Sequence, residues 1–512
     1  MSGYVPRPNP LAFLNLPQQP DQPQGRQNPL TPPWAYAGNP VGTETTQGMG
    51  MPQGPFNQVQ WMRPDGTPVM AGDMAQAHGQ VQTGMELAPT IALGMVGDAP
   101  GSGLRISTRI PTAKGLTFDP HTTPDLTVGL DSSRASGAAY DKNADLIRQY
   151  PGIPGIADGT ADAVSERLIN HATDNILHLH DSVPEDIRPR SGQWYDGANA
   201  IANRWADQYG ITSEQASAAL ASLSPQKDWF QNVDLTQRIL DTRKGAGNMS
   251  FTPEMRDWMQ NFIDTRTVAK TQDRLQAAYD AIGDKPFSQV TDPYQQALWT
   301  RAYDQAHNPR GYSLVTPEGD VGGPVLNQDG SARKVGWGSM DEIAKAHAVL
   351  NDGSLSNISQ QMGENHKVRN FYNNIVAPNA PNGDVTVDTH AIAAAHLRPL
   401  AGTDTEVSHG LGVSGSASNA TGSQGMYGLY AEAYRRAAEA RGILPREMQS
   451  ITWEGVRGLF SDVQKRDANF RQAIDDIWNS HQQGQIDAPT ARRLVFERAG
   501  GINPPEWHQP NG

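Results

Sequence analysis

Lys367 and Asp388 are the residues of this chain whose types and spacing best suit chemistry. Lys367 opens the run Lys367-Val368-Arg369-Asn370-Phe371-Tyr372-Asn373-Asn374-Ile375, whose pattern predicts a helix. A Pro/Asn/Gly loop follows from Ala377 to Asp384. The β-branched run Val385-Thr386-Val387-Asp388-Thr389-His390 then delivers Asp388 to the mouth of an apolar helix expected over Ala391 to Leu397. A lysine at the start of one helix and an aspartate at the N-terminus of the next can face a common cleft. Cutting a base from a sugar requires such a pair. The carboxylate stabilises positive charge developing on the sugar, and a desolvated amine attacks the sugar carbon and holds it as a Schiff base. Asp388 has a plainer reading as well, because Asp is a preferred N-cap and Thr389 strengthens that option.

The elements that must position this pair lie in a chain of uneven texture. It has 512 residues, room for two or three domains, with 37% hydrophobic residues, 51 Gly and 38 Pro. The formal charge of -13 argues against a generally basic nucleic-acid coat, so contact with DNA requires a local cationic patch. With no cysteine, disulfides, thiolate zinc sites and cysteine-ligated iron–sulfur clusters are excluded. No apolar run approaches the ~20 residues that span a bilayer, and no charged-then-apolar signal pattern opens the chain. The chain reads as soluble and fits a reducing compartment.

Residues 1–103 are rich in Pro, Gln, Gly, Asn and Met, as in Pro17-Gln18-Gln19-Pro20-Asp21-Gln22-Pro23, and read as an extended or disordered arm. Trp34, Tyr36, Phe56 and Trp61 give that arm anchors for a partner's grooves. Residues 104–158 are transitional, with short strands expected at Leu104 to Ile110 and Leu126 to Leu130. From 159 to 460 the spacing becomes helical, beginning with Val164, Leu168, Ile169, Ala172 and Ile176. One helix should end at Tyr209-Gly210, Ser213 should cap the next, and Ser339 with Glu342 forms a capping-box signature. The Gly-rich piece 311–338 reads as a hairpin insertion turning at Asn327-Gln328-Asp329-Gly330, and 402–425 as a mobile loop. Residues 461–512 form a helical tail. The expected fold is mainly α: a two-lobed helical bundle with the arm and hairpin as additions, and with Lys367 and Asp388 in the cleft between lobes.

From about 190 to 400 these pieces resemble the helix-hairpin-helix DNA glycosylase superfamily. Its hairpin, Leu-Pro-Gly-Val-Gly-x-Lys, precedes a helix and then Val-Asp-Thr-His. The corresponding stretch here is Gln361-Met362-Gly363-Glu364-Asn365-His366-Lys367, with Asn365 in place of the second glycine and no proline or first leucine. Asn is the next-best residue for a left-handed backbone. The resemblance implies that Lys367 and Asp388 are catalytic, and that Gly363, Asn365 and the amides around them hold a DNA phosphate. It further implies that Gln226 and Asn232, in Leu223-Ser224-Pro225-Gln226-Lys227-Asp228-Trp229-Phe230-Gln231-Asn232, help occupy the space of a flipped base. Ser224 to Asn232 and Gln449-Ser450-Ile451-Thr452-Trp453 also resemble uncharacterised phage-encoded glycosylase-like domains. The function implied is a DNA-binding glycosylase with β-lyase activity and no cofactor. A rival of another class is a non-catalytic virion structural or ejection protein that keeps the fold and binds partner subunits through its arm.

Other residues carry weaker signals. His171, His178 and His180 invite a metal reading, but positions 178 and 180 point to roughly opposite sides of a helix, and no metal is expected. His390 and His396 read as packing and surface residues, and Trp229 and Trp453 as core aromatics. Gly412 to Gly425 lacks the Lys-Ser/Thr ending of a phosphate loop. Arg435, Arg436 and Arg441 share a helix with Glu432 and Glu439, a solvated face.

Overall fold

The computed structural model describes residues 143–508 apart from 328, 363–365, 381–383 and 412–425, together with the short strands 60–62 and 105–107. It is mainly helical. The described residues fall into two compact units: an inserted unit, Ala200–Met362, and a discontinuous unit built from the described chain before it and after it. The expected arm apart from residues 60–62, the strand at Leu126 to Leu130 and most of the loop 402–425 lie outside the described residues. Strand β1 (Gln60–Met62) pairs antiparallel with β2 (Arg105–Ser107), which falls within the strand expected at Leu104 to Ile110.

In the discontinuous unit, α1 (Ala161–Ser182) starts where the Thr160 side chain accepts the Ala163 amide. Its residues Val164, Leu168, Ile169, Ala172, Ile176 and Leu179 make one apolar face by their three- and four-residue spacing. Helix α2 (Arg188–Ser191) follows, and α3 (Trp194–Tyr209) leads from this unit into the inserted one, ending where expected at Gly210, φ 66°.

The inserted unit holds α4 (Ser213–Ser222), α5 (Trp229–Gly245), α6 (Pro253–Asp264), α7 (Ala269–Ile282) and α8 (Pro293–His307). Strands β3 (Ser313–Val315) and β4 (Val321–Pro324) come next, then α9 (Met340–Asn351) and α10 (Leu355–Met362). The cap of α4 is Thr212 rather than Ser213, in a reciprocal box with Gln215, one residue earlier than the sequence suggested. Ser339 and Glu342 form the expected box on α9. In the hairpin, β3 and β4 turn through Thr316 to Asp320, and a second turn at Asn327 to Ser331 matches the predicted one. Met255, Met259, Leu275, Leu298 and Trp299 fill the core of this unit. Beside it, Arg238 of α5 is fully buried between Asp234, 2.5 Å away, and Asp304 of α8, 2.6 Å away. The carbonyls of Pro309 and Gly311 accept from its Nη2, and Trp337 donates to Asp304.

The discontinuous unit resumes with α11 (His366–Val376), α12 (Thr389–His396), α13 (Thr405–Leu411), α14 (Met426–Arg441) and α15 (Pro445–Leu459). It closes with α16 (Asp462–Arg466), α17 (Ala468–Gln482) and α18 (Ala488–Ala499). Residues Ala391 to Ala395 of α12 are all buried, as a helix apolar on every side must be, with α1 and α15 packed against it. The tail does not hang free. Phe470, Ile474 and Trp478 of α17 and Val495 of α18 join the same core, and Trp478 donates to the Leu397 carbonyl. Ile147, Tyr150, Ile153 and Ile156, at the end of the transitional segment, belong to that core too.

Candidate active site

The segment carrying Asp388 is neither helix nor strand, and apart from a tight bond from the Val387 amide to the Val385 carbonyl its backbone groups need side chains to satisfy them. α11 and α14 supply these. Asn370 and Tyr427 both donate to the Val385 carbonyl, and the Val387 amide donates back to the Tyr427 hydroxyl. Asn374 donates to the Thr386 hydroxyl and Asn373 to the Asp384 carboxylate. Asn370, Asn373 and Asn374 share a face of α11 by spacing, which gives that asparagine-rich helix its purpose. Val385 and Val387 are buried beside them, so the segment is clamped and Asp388 leaves it in a fixed direction.

Asp388 does what both of its readings require. One oxygen accepts the Ala391 amide at 2.8 Å and caps α12. The other lies 3.7 Å from His390 Nδ1, and the side chain remains 24% exposed. Burial pushes its carboxyl up, but His390, the Ala391 amide and the charge of Lys367 outweigh this and hold it below the ordinary value. Lys367, from the first turn of α11, therefore acts on Asp388 through its charge, and its Nζ lies 5.2 Å from the centre of the Phe371 ring. Lys367 and Asp388 both belong to the discontinuous unit.

A second lysine joins them. Lys465 Nζ of α16 lies 3.4 Å from His390 Nε2 and 3.7 Å from Asp462, with only 13% of its side chain exposed. Burial lowers its pKa, opposed by Asp462 and Asp388. His390 is also lowered, chiefly by burial and then by Lys465 and Arg457, against the pull of Asp388. A neutral imidazole between an ammonium and a carboxylate accepts at Nε2 and carries its proton at Nδ1, facing Asp388. Trp453 meets the His390 ring edge-on at 6.0 Å, and Arg457 stacks on Trp453 at 4.3 Å. The result is Asp388 among two lysines, an arginine and aromatic faces, with Asp462 beside Lys465, a set able to receive a ligand with flat, charged groups.

The other predicted residues are placed differently. Gly363 and Asn365 lie outside the described residues. Gln226 sits exposed in the turn between α4 and α5 with φ 57°, a left-handed conformation rare for a residue with a side chain. Asn232 is only 2% exposed within α5, so it cannot stand in for an extruded base. Both belong to the inserted unit. Trp453, expected in the core, is half-buried beside His390. His171 is buried against Asn175 and Trp478, His178 packs on Phe496, and His180 contacts Asp181. Among the described residues no group of three or more His, Asp or Glu side chains is arranged to hold a metal ion. Sequence reasoning missed Lys465 and Arg457. The four-residue spacing of Trp453 and Arg457 was a usable sign, whereas nothing local points from Lys465 to His390.

Fold and site together define a mainly helical protein with a lysine–aspartate–histidine cluster at a helix N-terminus. The chain belongs to a family of unknown function, DUF7178, whose model matches residues 160–291 and 328–459. No curated protein and no solved structure matches it. Lys367, Asp388, His390, Trp453 and Arg457 lie within the matched span, and Lys465 lies beyond it. Among the described residues no helix is long and apolar enough to cross a membrane.

Proposed function

We propose that the protein binds DNA as a glycosylase-like enzyme and excises a base with an accompanying lyase step, using Lys367 and Asp388. The observation that carries this reading is a part-exposed Asp388 set beside His390 and Lys465, with Trp453 and Arg457 next to His390 and Lys367 in the same unit. A nucleotide is extruded from the duplex at a cost of a few kcal/mol. The unprotonated Lys367 amine attacks C1′ and the N-glycosidic bond breaks. Its electron pair leaves with the base, which takes up the proton the amine sheds. Opening of the sugar ring at C1′–O4′ then leaves a protonated imine on Lys367, and O4′ takes a proton from solvent water to become a hydroxyl. Asp388 stabilises the positive charge that builds on the sugar before the amine bonds. Cations around the site, Lys465 and Arg457 among them, supply the contacts to phosphate.

A second reading rests on the formal charge of -13 and on the capping bond that accounts for Asp388 without chemistry. In it the chain is a virion structural or ejection component whose N-terminal arm binds neighbouring subunits. A salt titration of duplex binding separates the two. A phosphate-gripping surface loses affinity steeply as salt rises. Absence of duplex binding at low salt favours the architectural role.

A further inference from the structure

Arg243 lies on α5, five residues beyond Arg238, and its surroundings are opposite in kind. Arg238 is neutralised by two carboxylates. Arg243 is half-buried and has no carboxylate partner among the described residues. Its Nη1 donates to His347 Nδ1 at 3.1 Å, and its Nη2 to Asn351 Oδ1 at 3.0 Å and the Leu350 carbonyl at 3.4 Å. All three acceptors are neutral. His347 is fully buried and burial holds its pKa well below the ordinary value, so it carries one ring proton. That proton sits on Nε2, which contacts the Thr300 hydroxyl at 2.9 Å, leaving Nδ1 free to accept from the guanidinium. A cation taken partly out of water without a counter-charge is costly unless a ligand provides one. Burial lowers the Arg243 pKa only to about 10, so the charge persists at neutral pH.

Arg243 lines a cavity of about 440 Å³ with Phe287, Ser288, Thr291, Gln296 and Asn351. The walls are fixed. The Phe287 and Ser288 amides donate to the Met249 and Gly247 carbonyls, and Gln296 bridges the Val290 carbonyl and the Asn351 amide. Three of the five guanidinium N–H groups are used, which leaves two. The Ser288 and Thr291 hydroxyls make no protein hydrogen bond among the described residues. The cavity therefore presents four uncommitted donors, a positive charge and no negative one. A carboxylate would use two of those donors, whereas a tetrahedral oxyanion can use all four. The volume exceeds that of phosphate alone and suits a ligand with a body attached.

We propose that this cavity binds a small phosphomonoester, its phosphate on Arg243, Ser288 and Thr291. The test is calorimetric titration of the full chain with inorganic phosphate, then with adenosine 5′-monophosphate. Saturable binding is expected for both, weakened at least about tenfold in Arg243→Gln, as the loss of a charge-assisted hydrogen bond predicts. Because Arg243 also holds Leu350 and Asn351, a Ser288→Ala/Thr291→Val variant is measured alongside it. Several-fold weaker binding is expected there with an unchanged unfolding midpoint. Absence of saturable binding, or equal affinity in both variants, overturns the proposal. Competition by an oligonucleotide with 5′-hydroxyl ends but not by the monophosphate also overturns it, since the site would then serve backbone diesters.

Discussion

The buried cluster of Asp234, Arg238 and Asp304 and the cluster of Lys367, Asp388, His390 and Lys465 are made of similar ingredients and built to opposite ends. In the first, side chains no more than 3% exposed meet at 2.5 and 2.6 Å, with further donors and acceptors matched by backbone and Trp337. Nothing is left for a ligand, and its work is to tie α5 to α8 and to the approach to the hairpin. In the second, contacts run from 3.4 to 3.7 Å, and Asp388 and His390 are a quarter to a third exposed. Loose, part-exposed geometry is poor cement but suits a site that receives a substrate. Closure marks structure, and incompleteness marks function.

The largest effect should come from breaking the closed cluster. Asp304→Ala strands a buried guanidinium and should cost about 3–5 kcal/mol, visible as an early transition in chemical denaturation of the inserted unit. A loss under about 1 kcal/mol would mean the cluster is not closed after all.

Acid should come next. His171, His347 and His396 are buried, and burial lowers the pKa of each, to about 3 for His396. Groups depressed in the fold bind fewer protons there than when unfolded. Stability should therefore fall as pH drops below the unfolded value near 6.5, and continue falling toward the folded values. At pH 5 each should cost about 2 kcal/mol, read from thermal melts at pH 7 and 5. A flat profile would contradict their neutral burial. Asp388→Ala, in the open cluster, should cost only about 1 kcal/mol, the loss of a helix cap. A cost matching that of Asp304→Ala would erase the contrast.

The smallest effect is a shift without unfolding. Lys465→Met should raise the pKa of His390, and Asp388→Asn should lower it, both followed by NMR titration of the ring protons. Movement in the same direction in both would remove His390 from between the two charges.

Local features of the fold were legible in the sequence because their causes are local. The Ser339–Glu342 box, the Asp388 cap and the stop at Gly210 each involve residues within a turn of one another. The apolar face of α1 followed from spacing alone. Packing partners were not legible. Trp478 against Leu397, Ile147 in the core and the burial of Asn232 depend on residues far apart in the chain. The site divided in the same way. Lys367 and Asp388 stood out by motif, while Lys465 is brought to His390 only by the fold. Trp453 was misassigned because periodicity tells that a tryptophan faces inward but not that it packs on a part-exposed histidine.

The central claim, that Lys367 is a nucleophile working beside Asp388, is most directly tested by borohydride trapping on duplex DNA carrying an abasic site. The native chain and Lys465→Met should form a covalent adduct, and Lys367→Ala should form none. An adduct that survives in Lys367→Ala, or none with the native chain, would contradict it.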